Sequence, residues 1–165
     1  MATLYRITAP GQLDLYRDEF LVGIRNIIGE QAHFPVTPEG LFAQLHEHLN
    51  HHTKGIWVVL DEGHLRCWAS AKIYADEGRL TAAITYAWAQ PGNWSWSLRT
   101  MQAIEAWARA GGADEIYCTR QTRIAAFERL MRRYGWRKVA VAFAKDFRQE
   151  QNLSLIHISE PTRPY

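Results

Sequence analysis

Four histidines within seven residues form the densest group of potential metal ligands in the chain. The segment HEHLNHH, residues 46–52, places His48 and His52 four residues apart on one face of a predicted helix, a spacing that zinc can use. The HExxH pattern of zinc proteases is not met, because Asn50 stands at the position of the second histidine. Histidines near the end of a helix also interact favourably with its dipole. We therefore expect no metal site.

The two cysteines, Cys67 and Cys118, lie far apart and lack the spacing of a metal site. Cys118 alternates in register with neighbouring core positions, which favours a buried, inert thiol over a nucleophile. No charged-then-apolar leader opens the chain, and no run approaches the roughly 18 apolar residues of a membrane span. Together these features predict a cytoplasmic protein that does not enter the membrane.

A run of basic residues surrounds a predicted helix at 124–134. Such a run is typical of a solvated helix face, and it could also contact phosphates, including those of nucleic acid. The net charge of +2 and the isoelectric point near 8.6 are too mild to indicate nucleic acid by themselves. The residues are Arg120, Arg123, Arg129, Arg132, Arg133, Arg137 and Lys138.

The hydrophobic periodicity predicts the elements that must position these residues. Residues 2–7 alternate as a strand, and residues 13–29 carry apolar side chains at helical spacing. Thr37-Pro38 begins a second helix, with a capping hydroxyl and proline at the first helical position. Segments 56–61, 65–74 and 79–89 predict an antiparallel meander whose first turn is DEGH.

The carboxyl-terminal half continues as helices and strands in alternation. Residues 90–97 form a turn rich in small residues, and a helical stripe from Leu98 ends at Gly111-Gly112. A strand at 114–120, a helix at 124–134 and a strand at 137–147 follow. The order β-α-α-β-β-β-α-β-α-β predicts one α+β domain over residues 1–152 with a mixed sheet. The connecting helix predicts that strands 79–89 and 114–120 run parallel and separate at their carboxyl ends.

This order resembles the GNAT (Gcn5-related N-acetyltransferase) superfamily over roughly residues 2–147. The most specific pieces are IEAWARAGGADEIY (104–117) and FERLMRRYGWRKV (127–139), which look like the family's third helix with its glycine break and its fourth helix ending in Gly135-Trp136. The style is also similar to small GNAT-like proteins of bacteriophages. The resemblance implies acetyl-CoA as the acyl donor and an amine as the acceptor, and it makes the 3′-phosphate and pyrophosphate of CoA a further possible ligand of the basic run.

The family binds the CoA pyrophosphate with a [Q/R]-x-x-G-x-[G/A] loop at a helix amino terminus. In the usual frame Gly92, Ser95 and Ser97 occupy the three defined positions, so serines replace both glycines; Gln90 takes the first role if the loop is two residues longer. An ordinary Pro-Gly turn with a serine cap is the alternative. The resemblance implies these loop residues as CoA contacts: Gln90, Gly92, Asn93, Trp94, Ser95, Trp96, Ser97 and Leu98.

The resemblance also implies contacts at the ends of two neighbouring strands. The main chain of Tyr86, Ala87 and Trp88 is expected to bind the pantetheine arm by strand-like hydrogen bonds. At the second strand the implied residues are Thr119, Arg120 and Arg123. Packing in the core is the alternative for the aromatic side chains, and it is favoured for Trp88 and Tyr117.

The family's general acid is often a tyrosine four residues before the helix-ending glycine. Counting back from Gly135 gives Met131, which cannot donate a proton. Tyr134, adjacent to the glycine, is the candidate substitute, although it lies on another helix face. None of the residues at the two strand ends is a carboxylate that could act as general base.

The last segment, LSLIHISEPTRPY (153–165), resembles a translated sequencing-library adapter. We exclude it from the fold and expect the natural carboxyl terminus to differ. Two hypotheses of different classes remain for the rest of the chain. The first is an acyl-CoA-dependent N-acyltransferase in which an amine attacks the thioester directly. The second is a catalytically silent GNAT-fold binding or structural module, encoded by a phage. The complete topology favours the enzyme; the serine loop and Met131 favour the module.

Overall fold

The structure, a computed structural model, describes residues 2–30, 36–76, 78–92, 94–118, 129 and 132–136. Contacts within the chain divide it into two compact units, Met1–Ile124 and Ala125–Tyr165, which we describe separately. The single domain over residues 1–152 stays a prediction. The predicted strand at 137–147 and the adapter-like segment 153–165 lie outside the described residues.

The described part of the first unit is a strand-and-helix layer structure that confirms the predicted α+β class. Its elements, in chain order, are β1 (Thr3–Ile7), α1 (Pro10–Asp14), α2 (Arg17–Glu30), α3 (Pro38–Leu49), β2 (Lys54–Asp61), β3 (His64–Asp76), β4 (Arg79–Ala89), α4 (Trp94–Ala110) and β5 (Glu115–Cys118).

The sheet has the strand order β1-β2-β3-β4-β5. Neighbouring strands from β1 to β4 pair antiparallel, as the predicted meander requires. β5 pairs with β4 in parallel, from Thr81↔Glu115 to Ile84↔Cys118. Because a parallel neighbour needs a crossover connection, α4 is that connection, and the predicted direction of these strands is confirmed.

The helices lie on both faces of the sheet because β2 and its neighbours are apolar on both sides. Ile56 and Val58 belong to a buried core that they share with residues of α2 and α3. Trp57, between them, packs on the opposite face, with its ring 5.0 Å from that of Trp107 in α4. Alternation along one strand therefore supplies two cores.

The prediction of one helix over residues 13–29 is wrong, because the chain forms α1 and α2 with a break at Leu15–Tyr16. The apolar spacing continues across the break, since Leu13 and Phe20 are both fully buried. Periodicity detects which side chains face the core, and it does not detect an interrupted backbone. α1 starts at Pro10, and the side chain of Gln12 accepts a 2.8 Å hydrogen bond from the N–H of Thr8.

Two of the predicted helix boundaries agree with the structure. The hydroxyl of Thr37 accepts a 3.1 Å hydrogen bond from the N–H of Gly40 and caps α3. α4 ends where Gly112 adopts a φ of +79°, and Ala113 donates a 3.0 Å hydrogen bond to the carbonyl of Ala108. This reversal, which glycine makes without steric cost, directs the chain into β5. Among the described residues, no helix combines the length and apolar character that a membrane crossing requires.

Candidate functional site

The carboxyl-terminal part of β4 is where the predicted acyl-donor contacts lie. Tyr86, Ala87 and Trp88 pair with β3, opposite Ser70, Ala69 and Trp68 respectively. The described pairing with β5 stops at Ile84, five residues before β4 ends at Ala89. The predicted separation of the two strands beyond this point involves residues that the structure does not describe.

A β-bulge interrupts β4 just before these residues. Ser70 and Ala71 of β3 face Tyr86 and Ile84, so Thr85 is the extra residue. Its hydroxyl lies 2.7 Å from the hydroxyl of Ser70 and donates a 3.1 Å hydrogen bond to the Ser70 carbonyl. Bulges bend a strand and change the direction of its side chains, and they are common beside active sites.

The aromatic side chains of β4 pack toward α2 and α3. Tyr86 and Trp88 are half-buried against the core, and the Tyr86 hydroxyl donates a 3.3 Å hydrogen bond to the side-chain oxygen of Gln44. Burial raises the pKa of Tyr86, so its phenol stays protonated. Trp88 packs against this core, as expected. Tyr117 in β5 is half-buried as well.

α2 approaches these rings closely at one residue. A Cβ atom on Gly23 would lie 2.6 Å from Nε1 of Trp68 and 2.9 Å from Cδ2 of Trp88. Glycine is therefore required sterically for α2 to pack on this end of the sheet. The Nε1 atom of Trp68 is buried and has no hydrogen-bond partner among the described residues.

The turn after β4 is short and exposed. Gln90, Pro91 and Gly92 are all exposed, and Gly92 has a φ of +106°, a conformation that favours glycine. Asn93, a predicted CoA contact, lies outside the described residues. Helix α4 then begins at Trp94, so only three described residues separate it from β4.

The prediction that residues 94–97 belong to the turn is wrong. Trp94, Ser95, Trp96 and Ser97 form the first turn of α4, and Leu98 is its fifth residue. The small residues of this segment suggested a turn, but serine and tryptophan are also tolerated in a helix. The amphipathic helix therefore begins before Leu98, the first aliphatic residue of its apolar face. The amino terminus of α4, and with it the positive end of the helix dipole, therefore lies at Trp94, near the end of β4.

The side chains at the start of α4 differ in their exposure to solvent. Trp94 and Ser95 are exposed, whereas Trp96, Ser97 and Leu98 are half-buried. The hydroxyl of Ser97 hydrogen-bonds to the thiol of Cys67 in β3. Its side chain is thus directed to the sheet and not to the predicted anion site.

Cys67 is a packing residue in this face of the sheet. Its Sγ lies 3.6 Å from the hydroxyl of Thr100, and burial raises the pKa of its thiol to about 11. A buried thiol with a raised pKa is protonated near neutral pH, which favours a packing role for Cys67 over that of a nucleophile. Cys118, which we expected to be buried, is half-buried in the short strand β5.

A shallow groove of about 350 Å³ lies between α2, the start of β3 and the end of β4. Glu19 of α2 accepts a hydrogen bond from the N–H of Leu65 at 3.5 Å and lies 3.3 Å from Nδ1 of His64. Arg66 and Gln90 line the same groove and hydrogen-bond to each other. Arg66 has no local sequence signal, because 24 residues separate it from Gln90 and only the register of β3 and β4 brings the two together.

The remaining predicted CoA contacts, Thr119, Arg120 and Arg123, lie outside the described residues, as does Met131. In the second unit, Arg132 and Arg133 are helical and exposed, and Arg129 has the same character. Gly135 has a φ of +80° and donates a 3.1 Å hydrogen bond to the carbonyl of Arg132. The helix therefore ends at this glycine, and Tyr134 beside it is 36% exposed.

The four histidines of the segment 46–52 lie in different environments. His46 lies 2.9 Å from the carboxylate of Asp14, while His51 and His52 are exposed. His48 is buried, and burial together with the positive charge of Lys54 lowers its pKa to about 4. Among the described residues, no group of three or more histidine, cysteine, aspartate or glutamate side chains is arranged to hold a metal ion.

Comparison with known proteins gives results only at the level of structure. No family model matches the sequence, and no curated protein matches it. The aminoglycoside N-acetyltransferase AAC(6')-Iy in complex with CoA matches with a TM-score of 0.68 at 14% identity, over 89% of this chain and 95% of that one.

Two further acetyltransferase structures are similar to this chain. Glucosamine-6-phosphate N-acetyltransferase from Arabidopsis thaliana has a TM-score of 0.67 at 11% identity, over 88% of this chain and 99% of that one. An aminoglycoside acetyltransferase from an uncultured soil metagenomic sample, in complex with sisomicin, has a TM-score of 0.64 at 14% identity, over 88% and 96%. The chain therefore has the fold of the GNAT acetyltransferases.

Proposed function

We propose that this protein is an acyl-CoA-dependent N-acyltransferase that moves an acetyl group from acetyl-CoA to an amine. The observation that carries the proposal is the parallel β4–α4–β5 unit. β4 extends five residues beyond its last described pair with β5, and it leads through a short turn into the amino terminus of a 17-residue helix. Neighbours with this fold are named as N-acetyltransferases, and AAC(6')-Iy was solved with CoA.

The main chain of β4 and the first turn of α4 are the proposed donor contacts. The pantetheine arm would pair with Tyr86–Trp88 as an added strand does, through backbone hydrogen bonds. The diphosphate would lie at the first turn of α4 and accept hydrogen bonds from its main-chain N–H groups, where the helix dipole favours negative charge. Thr119, Arg120 and Arg123 complete the proposed set on the β5 side.

The reaction proposed is a direct transfer. The neutral amine nitrogen attacks the thioester carbonyl and the C–N bond forms. The C–S bond then breaks, the nitrogen releases its extra proton to water, and the departing thiolate takes up a proton. The buried thiol of Cys67, with its raised pKa, supports a route without a cysteine-bound intermediate. Tyr134 is the proposed proton donor, because a protonated phenol can transfer a proton to the thiolate.

The alternative, a binding module without catalysis, has one specific observation in its favour. The helix start carries two tryptophans and two serines and no glycine, so each position adds a Cβ atom near the proposed diphosphate. We therefore expect acetyl-CoA to bind in the micromolar range or more weakly, at about −8 kcal/mol or less in magnitude.

Calorimetry and a thiol-release assay test the proposal together. The protein is titrated with acetyl-CoA, and CoA release is then followed with a panel of primary amines that includes aminoglycosides and amino sugars. Binding with amine-dependent release of CoA supports the acyltransferase. Binding without release for any amine supports the module, and no binding rules out both uses of CoA.

A further inference from the structure

Arg66 and Gln90 are joined by two hydrogen bonds at the top of the β3–β4 pair. The main-chain N–H of Gln90 donates to the carbonyl of Arg66 at 2.8 Å, which adds one rung beyond Cys67↔Ala89. The side chains then meet, with Nη1 of Arg66 donating to Oε1 of Gln90 at 2.7 Å. A charge-assisted bond of this length is among the stronger hydrogen bonds in proteins.

This contact fixes the orientation of the Gln90 amide. A guanidinium can only donate hydrogen bonds, so the atom of Gln90 that faces it must be the carbonyl oxygen. The amide NH₂ group therefore points away from Arg66 and remains a donor. Gln90 is exposed, so this NH₂ group is accessible at the start of the turn that precedes α4.

The placement of Arg66 carries an energetic cost. Its Nε atom is buried and has no hydrogen-bond partner among the described residues. A buried N–H group without a partner destabilises the folded state, so stability alone does not account for this arrangement. In this position Arg66 holds the side-chain amide of Gln90 in one orientation.

We propose that Arg66 is a positioning residue for the turn that binds the CoA diphosphate. Arg66 holds Gln90, and Gln90 immediately precedes Pro91 and Gly92, whose φ of +106° directs the chain toward α4. Pro91 has a fixed φ, so the residue that follows the held glutamine has little freedom of its own. This inference rests on the proposed function, since it assigns a role in binding CoA.

A double-mutant cycle read by CoA titration tests the role. Gln90→Met keeps the length of the side chain, Arg66→Met keeps the apolar part of the arginine side chain, and each removes the hydrogen bond. We expect each to weaken CoA binding about tenfold, as loss of a charge-assisted hydrogen bond predicts. The double variant is expected to be weakened about tenfold as well, because Arg66 acts through Gln90.

Two control variants distinguish a positioning role of Arg66 from a general effect of its positive charge on CoA binding. Arg79→Met removes an equal charge at the opposite end of β4, and it is expected to change CoA affinity by less than about twofold. Arg66→Lys keeps a charged donor and is expected to bind CoA within about threefold of the wild type. Thermal unfolding of every variant shows whether it folds. If Arg66→Met does not fold, Arg66→Gln takes its place in the cycle, because it is polar but uncharged and too short to reach Gln90.

The outcomes are distinguishable. Wild-type binding with the non-additive pattern supports the inference. An additive loss of about 100-fold in the double variant means that Arg66 touches the ligand itself, and it overturns the positioning role. Unchanged affinity in Arg66→Met and Gln90→Met also overturns it and leaves the proposed function standing. Absence of CoA binding by the wild type overturns both.

Discussion

The hydroxyl of Ser97 in α4 hydrogen-bonds to the thiol of Cys67 in β3, so this serine faces the sheet. The resemblance to the GNAT loop placed Ser97 at the last small-residue position, where it was expected to contact the diphosphate. In the structure its side chain belongs to the packing between α4 and the sheet. An acidic residue there would be directed toward a buried thiol and would disturb folding. Ser95, which is exposed in the same turn, is the better position at which to test the anion site.

Ser95→Asp is expected to weaken acetyl-CoA binding by at least about tenfold, or ~1.4 kcal/mol. The added carboxylate repels the diphosphate, although the same charge in the first turn of a helix favours the helix dipole. Affinity should therefore fall while the melting temperature stays the same or rises. Calorimetry and thermal unfolding measure the two effects.

Ser95→Asn is the matched control, because it has nearly the same shape without the charge. We expect it to bind acetyl-CoA within about threefold of the wild type. Equal affinity of Ser95→Asp and the wild type would show that the diphosphate lies elsewhere.

Gly23→Ala is expected to lower the free energy of unfolding by about 1–3 kcal/mol, because the new methyl group would overlap the Trp68 indole. Gly29→Ala in the same helix has nothing within 4 Å of the added Cβ, and it should raise the free energy of unfolding by about 0.5–1 kcal/mol. Urea unfolding of both variants gives the comparison. A stabilised Gly23→Ala protein would contradict the close packing of α2 on the indole rings.

His48 should make stability depend on pH below neutrality. Its pKa is lowered to about 4 from 6.5 by burial and by the nearby charges of Lys54, Lys72 and His51. Between pH 6.5 and about pH 4, His48 is protonated in the unfolded chain but not in the folded protein. The free energy of unfolding therefore falls as the pH decreases through this range. The loss reaches about 2–3 kcal/mol near pH 4.

The change from pH 7 to pH 4.5 in the free energy of unfolding measures this effect. In His48→Leu the change should be smaller than in the wild type by about 2 kcal/mol. His64→Gln, which alters a histidine that is 67% exposed, should keep the wild-type dependence. An identical pH dependence in His48→Leu and the wild type would show that other groups cause it.

Deletion of residues 153–165 should leave the melting temperature unchanged within error. The segment resembles an adapter translation and carries no expected contact with the fold, so its removal takes away nothing native. Differential scanning calorimetry of the two chain lengths provides the test. A decrease of several degrees would show that the segment contributes to the folded protein.

The sequence alone was sufficient for the elements whose signals are local. Alternation predicted β4 over the same residues, Arg79–Ala89, that the structure shows, and Thr37-Pro38 predicted the start of α3. The glycine pair at 111–112 predicted the end of α4. The helix between two strands predicted that β4 and β5 are parallel. These inferences succeed because capping, alternation and crossover geometry depend on neighbouring residues or on chain connectivity.

Only the tertiary structure decided how the candidate site is arranged. The bulge at Thr85 and the bond between Arg66 and Gln90 both depend on the register between β3 and β4, which no local pattern specifies. The start of α4 at Trp94 and the inward direction of Ser97 likewise follow from packing of the helix on Cys67. Side-chain directions at the site are set by contacts between residues distant in sequence, and such contacts exist only in the folded chain.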